Sequence, residues 1–240
     1  MIEKIESINQ LEGWTKRDIF SVRILSLLNS YGTKYQFCTF YRQITDGKIT
    51  ALLSRLDGNF TLSLESGFDG EELVHFFCVT GYTSILTSDE FELSDRFEQG
   101  AVMLCTSKRD IALPAGCELD EYPKLMDLYN FIDYNEQDFK AWYVDISHRV
   151  RHGTAKAYAL KLDGEIISSG VLSSICDGLA ILTAVRTGDS FRKMGYGSAL
   201  VSAICADVSK GVYIMRDENL NESFYKKLGF ENIGKWRMFR

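Results

Sequence analysis

The stretch Phe191-Arg192-Lys193-Met194-Gly195-Tyr196-Gly197-Ser198-Ala199-Leu200 sets two cations and two glycines between an apolar run, residues 180–185, and a run with helical spacing. A strand, a loop that frees backbone N–H groups and a helix N-terminus together hold phosphate oxygens, because unpaired amides and the macrodipole converge on one spot. The loop reads as a pyrophosphate cradle. It is neither of the common nucleotide motifs. Leu200 stands where a dinucleotide fingerprint has its third glycine, there is no Gly-Lys-Ser/Thr, and the strands before it are joined by hairpins rather than crossovers.

Those hairpins are signalled by Asp-Gly pairs. Residues 155–162, 165–173 and 179–185 read as a meander turned at Asp163-Gly164 and Asp177-Gly178. Helices are predicted over 122–132 and 137–151 before the meander. After it come a helix over 195–209, a strand over 212–215, a helix over 220–228 and a last strand over 233–239. The first half repeats this order. A helix over 19–28, opened by Thr15 and Asp18, precedes strands 36–44, 49–56 and 60–64, turned at Asp46-Gly47 and Asp57-Gly58. A helix over 71–79 and a strand over 82–87 follow. Asp46 and Asp163 are 117 apart, and Asp57 and Asp177 are 120 apart, the near-constant offset that a duplication leaves. The only prolines, Pro114 and Pro123, bracket a short polar segment, which places the expected junction between domains 1–114 and 115–240. Where the second half has its cationic loop, the first has Ser66-Gly67-Phe68-Asp69-Gly70-Glu71-Glu72, which repels phosphate.

Val185-Arg186-Thr187 before the loop and Asn221-Glu222-Ser223-Phe224-Tyr225-Lys226-Lys227-Leu228-Gly229-Phe230 after it complete a pattern. Arg192, Gly195 and Gly197 meet an Arg/Gln-x-x-Gly-x-Gly/Ala signature, and Tyr225, Gly229 and Phe230 a Tyr-x-x-x-Gly-Phe signature. In this the segment resembles the GNAT family, the Gcn5-related N-acetyltransferases, over residues 118–240, and the first half by element order alone. The resemblance implies an α/β protein of α+β type: a mixed, mostly antiparallel central sheet flanked by helices, here as two tandem domains. It implies direct acyl transfer from acetyl-CoA, a co-substrate, to the amine of a small molecule or protein. Main chain at Val185, Arg186 and Thr187 would hold the pantetheine arm. Amides of Arg192, Lys193, Met194, Gly195, Tyr196, Gly197 and Ser198 would hold the pyrophosphate. A side-chain amide, Asn221 or Asn219, would touch the cofactor, and Tyr225 would donate a proton to the departing thiolate.

For a general base, no carboxylate or histidine stands within residues 179–185; the candidates are Asp217 and Glu218, at the end of the following strand, or a water relay, although Asp217 also reads as a helix cap. Trp142 and Tyr143 read as core or as lining of an acceptor pocket. The rival reading is an acyl-CoA-binding module without catalysis. A formal charge of −6 with scattered Lys and Arg leaves no basic stripe for a nucleic acid, and no apolar run approaches the roughly 20 residues of a membrane helix. Six dispersed cysteines, Cys176 and Cys205 among them, without an export signal read as reduced core thiols in a cytoplasmic protein. His148 and His152 have i, i+4 spacing but no HExxH glutamate, so no metal site is expected. Oligomeric state is not legible.

Overall fold

The computed structural model describes residues 1–109, 111–132, 139–218 and 220–240. They form two compact units. The first comprises Met1–Val102, Met215–Glu218 and Ile233–Arg240, and the second Met103–Ile214 and Asn219–Asn232.

The first unit opens with β1 (Ile2–Lys4) and α1 (Ile19–Tyr31). The helix is capped by Asp18 rather than Thr15: the Asp18 carboxylate accepts from Ser21 N at 2.7 Å and from the Ser63 hydroxyl at 2.9 Å, which binds the cap into the sheet as Thr15 does not. Strands β2 (Cys38–Thr45), β3 (Lys48–Leu56) and β4 (Asn59–Leu64) form an antiparallel meander. Both of its Asp-Gly turns have positive φ at both residues, the primed geometry that matches strand twist. Next, α2 (Gly70–Thr80) crosses to β5 (Ser84–Ser88), which lies parallel to β4 over three pairs, Asn59↔Ser84 to Thr61↔Leu86. Phe60, Leu62, Leu73, Phe77, Ile85, Phe91 and Phe239 make this unit's core.

Strand β6 (Glu98–Cys105) was not foreseen in the sequence; its residues from Met103 onward belong to the second unit. Another short strand, β7 (Cys117–Asp120), occupies the proline-bracketed segment read as a linker. Four residues are too few to show a period, and the strand is held by pairing with β8 and by the 2.7 Å ion pair of Asp120 with Lys161. Helices α3 (Leu125–Ile132) and α4 (Phe139–Arg151) precede β8 (Lys156–Leu162), β9 (Glu165–Cys176) and β10 (Leu179–Thr187), the second meander. The predicted start of α4 at Gln137 falls outside the described residues. Finally α5 (Tyr196–Asp207) crosses to β11 (Gly211–Asp217), parallel to β10 over three pairs, Leu179↔Gly211 to Ile181↔Tyr213. Each unit thus has a parallel strand pair hydrogen-bonded at one end only, so the strands part further along. A short α6 (Glu222–Lys227) follows.

The last strand, β12 (Glu231–Phe239), departs from the expected halves. From Ile233 on it belongs to the first unit, pairing antiparallel with β5 from Trp236↔Ser88 to Phe239↔Ile85. No helix among the described residues is long and apolar enough to cross a membrane.

Candidate active site

The site is built where β10 leaves β11. Across β9 the register of β10 runs from Thr183↔Val171 to Arg186↔Ser169, three residues against two, so one extra residue bulges out. Ala184 takes up the bulge with φ 53, a left-handed conformation disfavoured for any residue with a Cβ. A single 3-10 turn at Asp189–Phe191 then delivers the chain to the cationic loop.

In that loop Lys193 (φ 62) and Gly195 (φ 91) are both left-handed, and such alternation turns successive N–H groups to one side. Gly195 is the N-cap of α5 and supplies no side-chain acceptor, so the first-turn amides of the helix face outward uncapped. The next glycine serves a different need. A Cβ on Gly197 would come within 2.8 Å of Thr187 Oγ1, so only glycine lets this turn pack on the end of β10. Arg192 donates from Nε to Thr187 O at 3.3 Å and pairs with Asp189 at 2.8 Å; both side chains are largely exposed, so the pair is weak and the guanidinium remains available to an anion.

A cavity of about 870 Å³ lies against these elements, lined by Val185, Arg186, Thr187, Phe191, Arg192, Lys193, Gly195, Tyr196, Gly197, Ser198, Asn221, Ser223, Phe224, Tyr225 and Lys227. Tyr225, Asn221 and every residue named from the sequence for the pantetheine arm and the pyrophosphate are among them except Met194, which is 64% exposed. Asn221 (φ 59) opens α6 without capping it through its side chain. Asn219 lies outside the described residues. Tyr225 packs between Phe224 and Phe230, with centroids 5.0 and 5.4 Å away, and burial, with a smaller contribution from Cys205, pushes its phenol up to about 12.

Arg186 lines the cavity, but its guanidinium turns to α3, donating to Ile132 O at 2.8 Å and standing 5.9 Å from the Phe131 ring centre. Other candidates lie apart from the cavity. Neither Asp217 nor Glu218 lines it; Glu218 accepts from Gln99 at 3.2 Å. Trp142 packs on Tyr129 at 5.3 Å, and Tyr143 is 42% exposed. Cys176 and Cys205 are buried and in no disulfide, and burial raises the thiol of Cys205. Among the described residues no cluster suited to a metal ion is formed, and the rings of His148 and His152 stack at 4.1 Å. Phe191, Ser223, Phe224 and Lys227 line the cavity without having been singled out. Of these, Lys227 carried a signal, a cation one helical turn past Ser223.

The corresponding helix of the first unit is built the opposite way. Asp69 caps α2 through Glu72 N at 3.0 Å, and Gln43 accepts from Asp69 N and donates to Glu72 at 2.9 Å. Its first turn is thereby filled by the chain's own acids, beside a groove that also holds Glu71, Glu90 and Glu92.

Residues 173–239 match the family model described as FR47-like protein. Among solved structures, a GCN5-related N-acetyltransferase from Kribbella flavida superposes with TM-score 0.61 at 13% identity, over 98% of this chain and 95% of that one. A GNAT-family acetyltransferase from Colwellia psychrerythraea gives 0.54 at 12%, over 100% and 98%. A tandem GNAT protein from the clavulanic acid biosynthesis pathway gives 0.58 at 12%, over 99% and 97%. No curated protein sequence matches. The fold is that of the GNAT proteins in the tandem form, as the resemblance of Arg192 to Gly197 and Tyr225 to Phe230 implied.

Proposed function

We propose that the chain is an acyl-CoA-dependent N-acyltransferase, using acetyl-CoA and transferring its acetyl group to the primary amine of a small molecule or protein. The observation that carries this is the uncapped, cation-flanked N-terminus of α5 opening onto a cavity that the end of β10 and Tyr225 share. The residues fit the donor. Gly195 leaves room for backbone to approach a pyrophosphate, Gly197 lets the first turn of α5 pack against Thr187, and Lys193, Arg192 and Lys227 supply positive charge.

When bound, the thioester supplies an activated acyl carbon and a thiolate leaving group. The neutral amine attacks that carbon, the C–S bond breaks, and the thiolate departs. Burial pushes the Tyr225 phenol up, to about 12, so it stays protonated throughout neutral pH. Tyr225 therefore acts as a hydrogen-bond donor to charge developing on sulfur, and the proton that ends on the thiol comes from the amine.

Among the described lining residues none is a carboxylate or a histidine. That observation favours the second reading, a module that binds acyl-CoA without turnover. Thiol release from acetyl-CoA against a panel of small amines and lysine-containing proteins separates the two. Turnover with one acceptor class supports the enzyme; CoA binding by calorimetry with no thiol release supports the module.

A further inference from the structure

Of the two pairs of adjacent serines in β9, Ser168-Ser169 and Ser173-Ser174, the first has both members at 0% exposure. Neighbours on a strand point to opposite faces, so each buried hydroxyl must find its own partner. Both find it in β10, at the bulge. Ser169 donates to Ala184 O at 3.0 Å. Ser168 donates to Arg186 O at 2.9 Å and lies 3.0 Å from Thr187 Oγ1, from which it accepts.

Arg186 and Thr187 belong to the segment that would hold the pantetheine arm, and Ala184 immediately precedes it. Ala184 is the one non-glycine residue with positive φ inside a strand among the described residues, and such strain persists only where the surroundings hold it. The Ser169 hydroxyl supplies that hold on the Ala184 carbonyl. Ser168 fixes Thr187, and Thr187 Oγ1 in turn sets how closely Gly197 approaches, which spaces the end of β10 from the first turn of α5.

We propose that Ser168 and Ser169 are positioning residues with separate duties: Ser169 aims the β10 main chain at the acyl carbonyl through Ala184, and Ser168 sets the pyrophosphate turn through Thr187. The proposal rests on the acyl-transfer reading above. It assigns the two hydroxyls to different constants, which a role in packing alone would not.

The test compares the full chain with its Ser169→Ala, Ser168→Ala, Ala184→Gly and combined Ser169→Ala/Ala184→Gly variants. The measurements are steady-state turnover of acetyl-CoA, CoA affinity by calorimetry, and amide hydrogen exchange over residues 184–187. Ser169→Ala is expected to lower kcat about ten- to a hundredfold with the acetyl-CoA KM nearly unchanged, and to quicken exchange. Glycine holds the left-handed conformation unaided, so Ala184→Gly should restore most of that loss in the double variant. Ser168→Ala should weaken CoA binding about tenfold and leave kcat close to wild type. Equal kcat in wild type and Ser169→Ala overturns the proposal, as does a parallel loss of kcat and affinity in both serine variants that Ala184→Gly does not relieve. If the wild-type chain turns over no amine, the acyl-transfer reading fails, and exchange over 184–187 still decides: no difference between wild type and Ser169→Ala overturns the positioning role.

Discussion

Gly195 and Gly197 are two residues apart and fail in different ways when a methyl group is added. At Gly195 a Cβ meets nothing within 4 Å, but φ is 91, so Gly195→Ala should destabilise the fold by about 1 kcal/mol through backbone strain. At Gly197 the backbone is ordinary and the space is not: the Cβ would lie 2.8 Å from Thr187 Oγ1. Gly197→Ala should therefore push the α5 turn off β10 and weaken CoA binding about tenfold with a smaller change in stability. Urea denaturation and calorimetry on the two variants check this, and the reverse ranking would refute it. Tyr225 gives a pH test. Its folded value, about 12, lies above the ordinary phenol value of 10.0, so ionisation is disfavoured in the folded state. The hydrogen-bond donor is present throughout neutral pH, and the Tyr225 contribution to stability should be flat below about pH 10 and fall as pH rises towards 12. Tyr225→Phe should lessen that alkaline loss, part of which remains with the buried Tyr158 phenol, also held above its ordinary value, and lower kcat about ten- to a hundredfold at pH 7–9, with CoA affinity retained. Thermal melts from pH 8 to 11.5 and a pH–rate profile read both; unchanged turnover in the phenylalanine variant would remove Tyr225 from the chemistry.

Between α2 and α5 the chain shows what an N-terminus does when filled and when left open. α2 is closed by Asp69, with Glu71 and Glu72 in its first turn, while α5 begins at a bare glycine after two cations. Calorimetry with CoA should accordingly give one site per chain, and a second site of similar affinity would contradict the reading of α2. Asp69→Ala should cost about 1 kcal/mol as a lost cap. Much of this was legible in the sequence because the determinants are local: four Asp-Gly pairs fix the turns of both meanders, and the glycine spacing and the Tyr225–Phe230 run mark the site. What was not legible depends on distant partners. β1, β6 and β7 have no periodic signal and exist through strands they pair with, as β1 does through β2. The direction of Arg186 is decided by the carbonyl of Ile132, 54 residues away, and the bulge at Ala184 by serines on another strand. The Ser168-Ser169 pair left no distinctive trace of that bulge in the sequence, because β9 carries a second such pair, Ser173-Ser174, whose partners are Ile181 O and Arg149.

At the scale of the molecule, the path of the chain matters more than the similarity of its halves. The first unit is completed only when residues 233–240 arrive, after nearly all of the second has been made. Without them β5 loses its antiparallel partner, and the core loses Phe239, 1% exposed and in ring contact with Phe91 at 6.1 Å and Phe97 at 5.7 Å. An unpaired inner strand beside an opened aromatic core is an aggregation site. A chain ending at residue 232 should therefore lose the first unit's cooperative unfolding, and a fragment of residues 1–114 should not fold by itself although it spans one sequence repeat. Phe239→Ala, a milder cut, should cost about 3–5 kcal/mol. The decisive measurement adds a synthetic peptide of residues 231–240 to the 1–114 fragment and follows near-ultraviolet circular dichroism and urea unfolding. Recovery of a cooperative transition with the peptide, and none with one carrying Phe239→Ala and Trp236→Ala, would show that the missing strand is what the first unit lacks. A 1–114 fragment that folds cooperatively alone would instead show that the repeat is self-sufficient and that β12 is only a late addition to it.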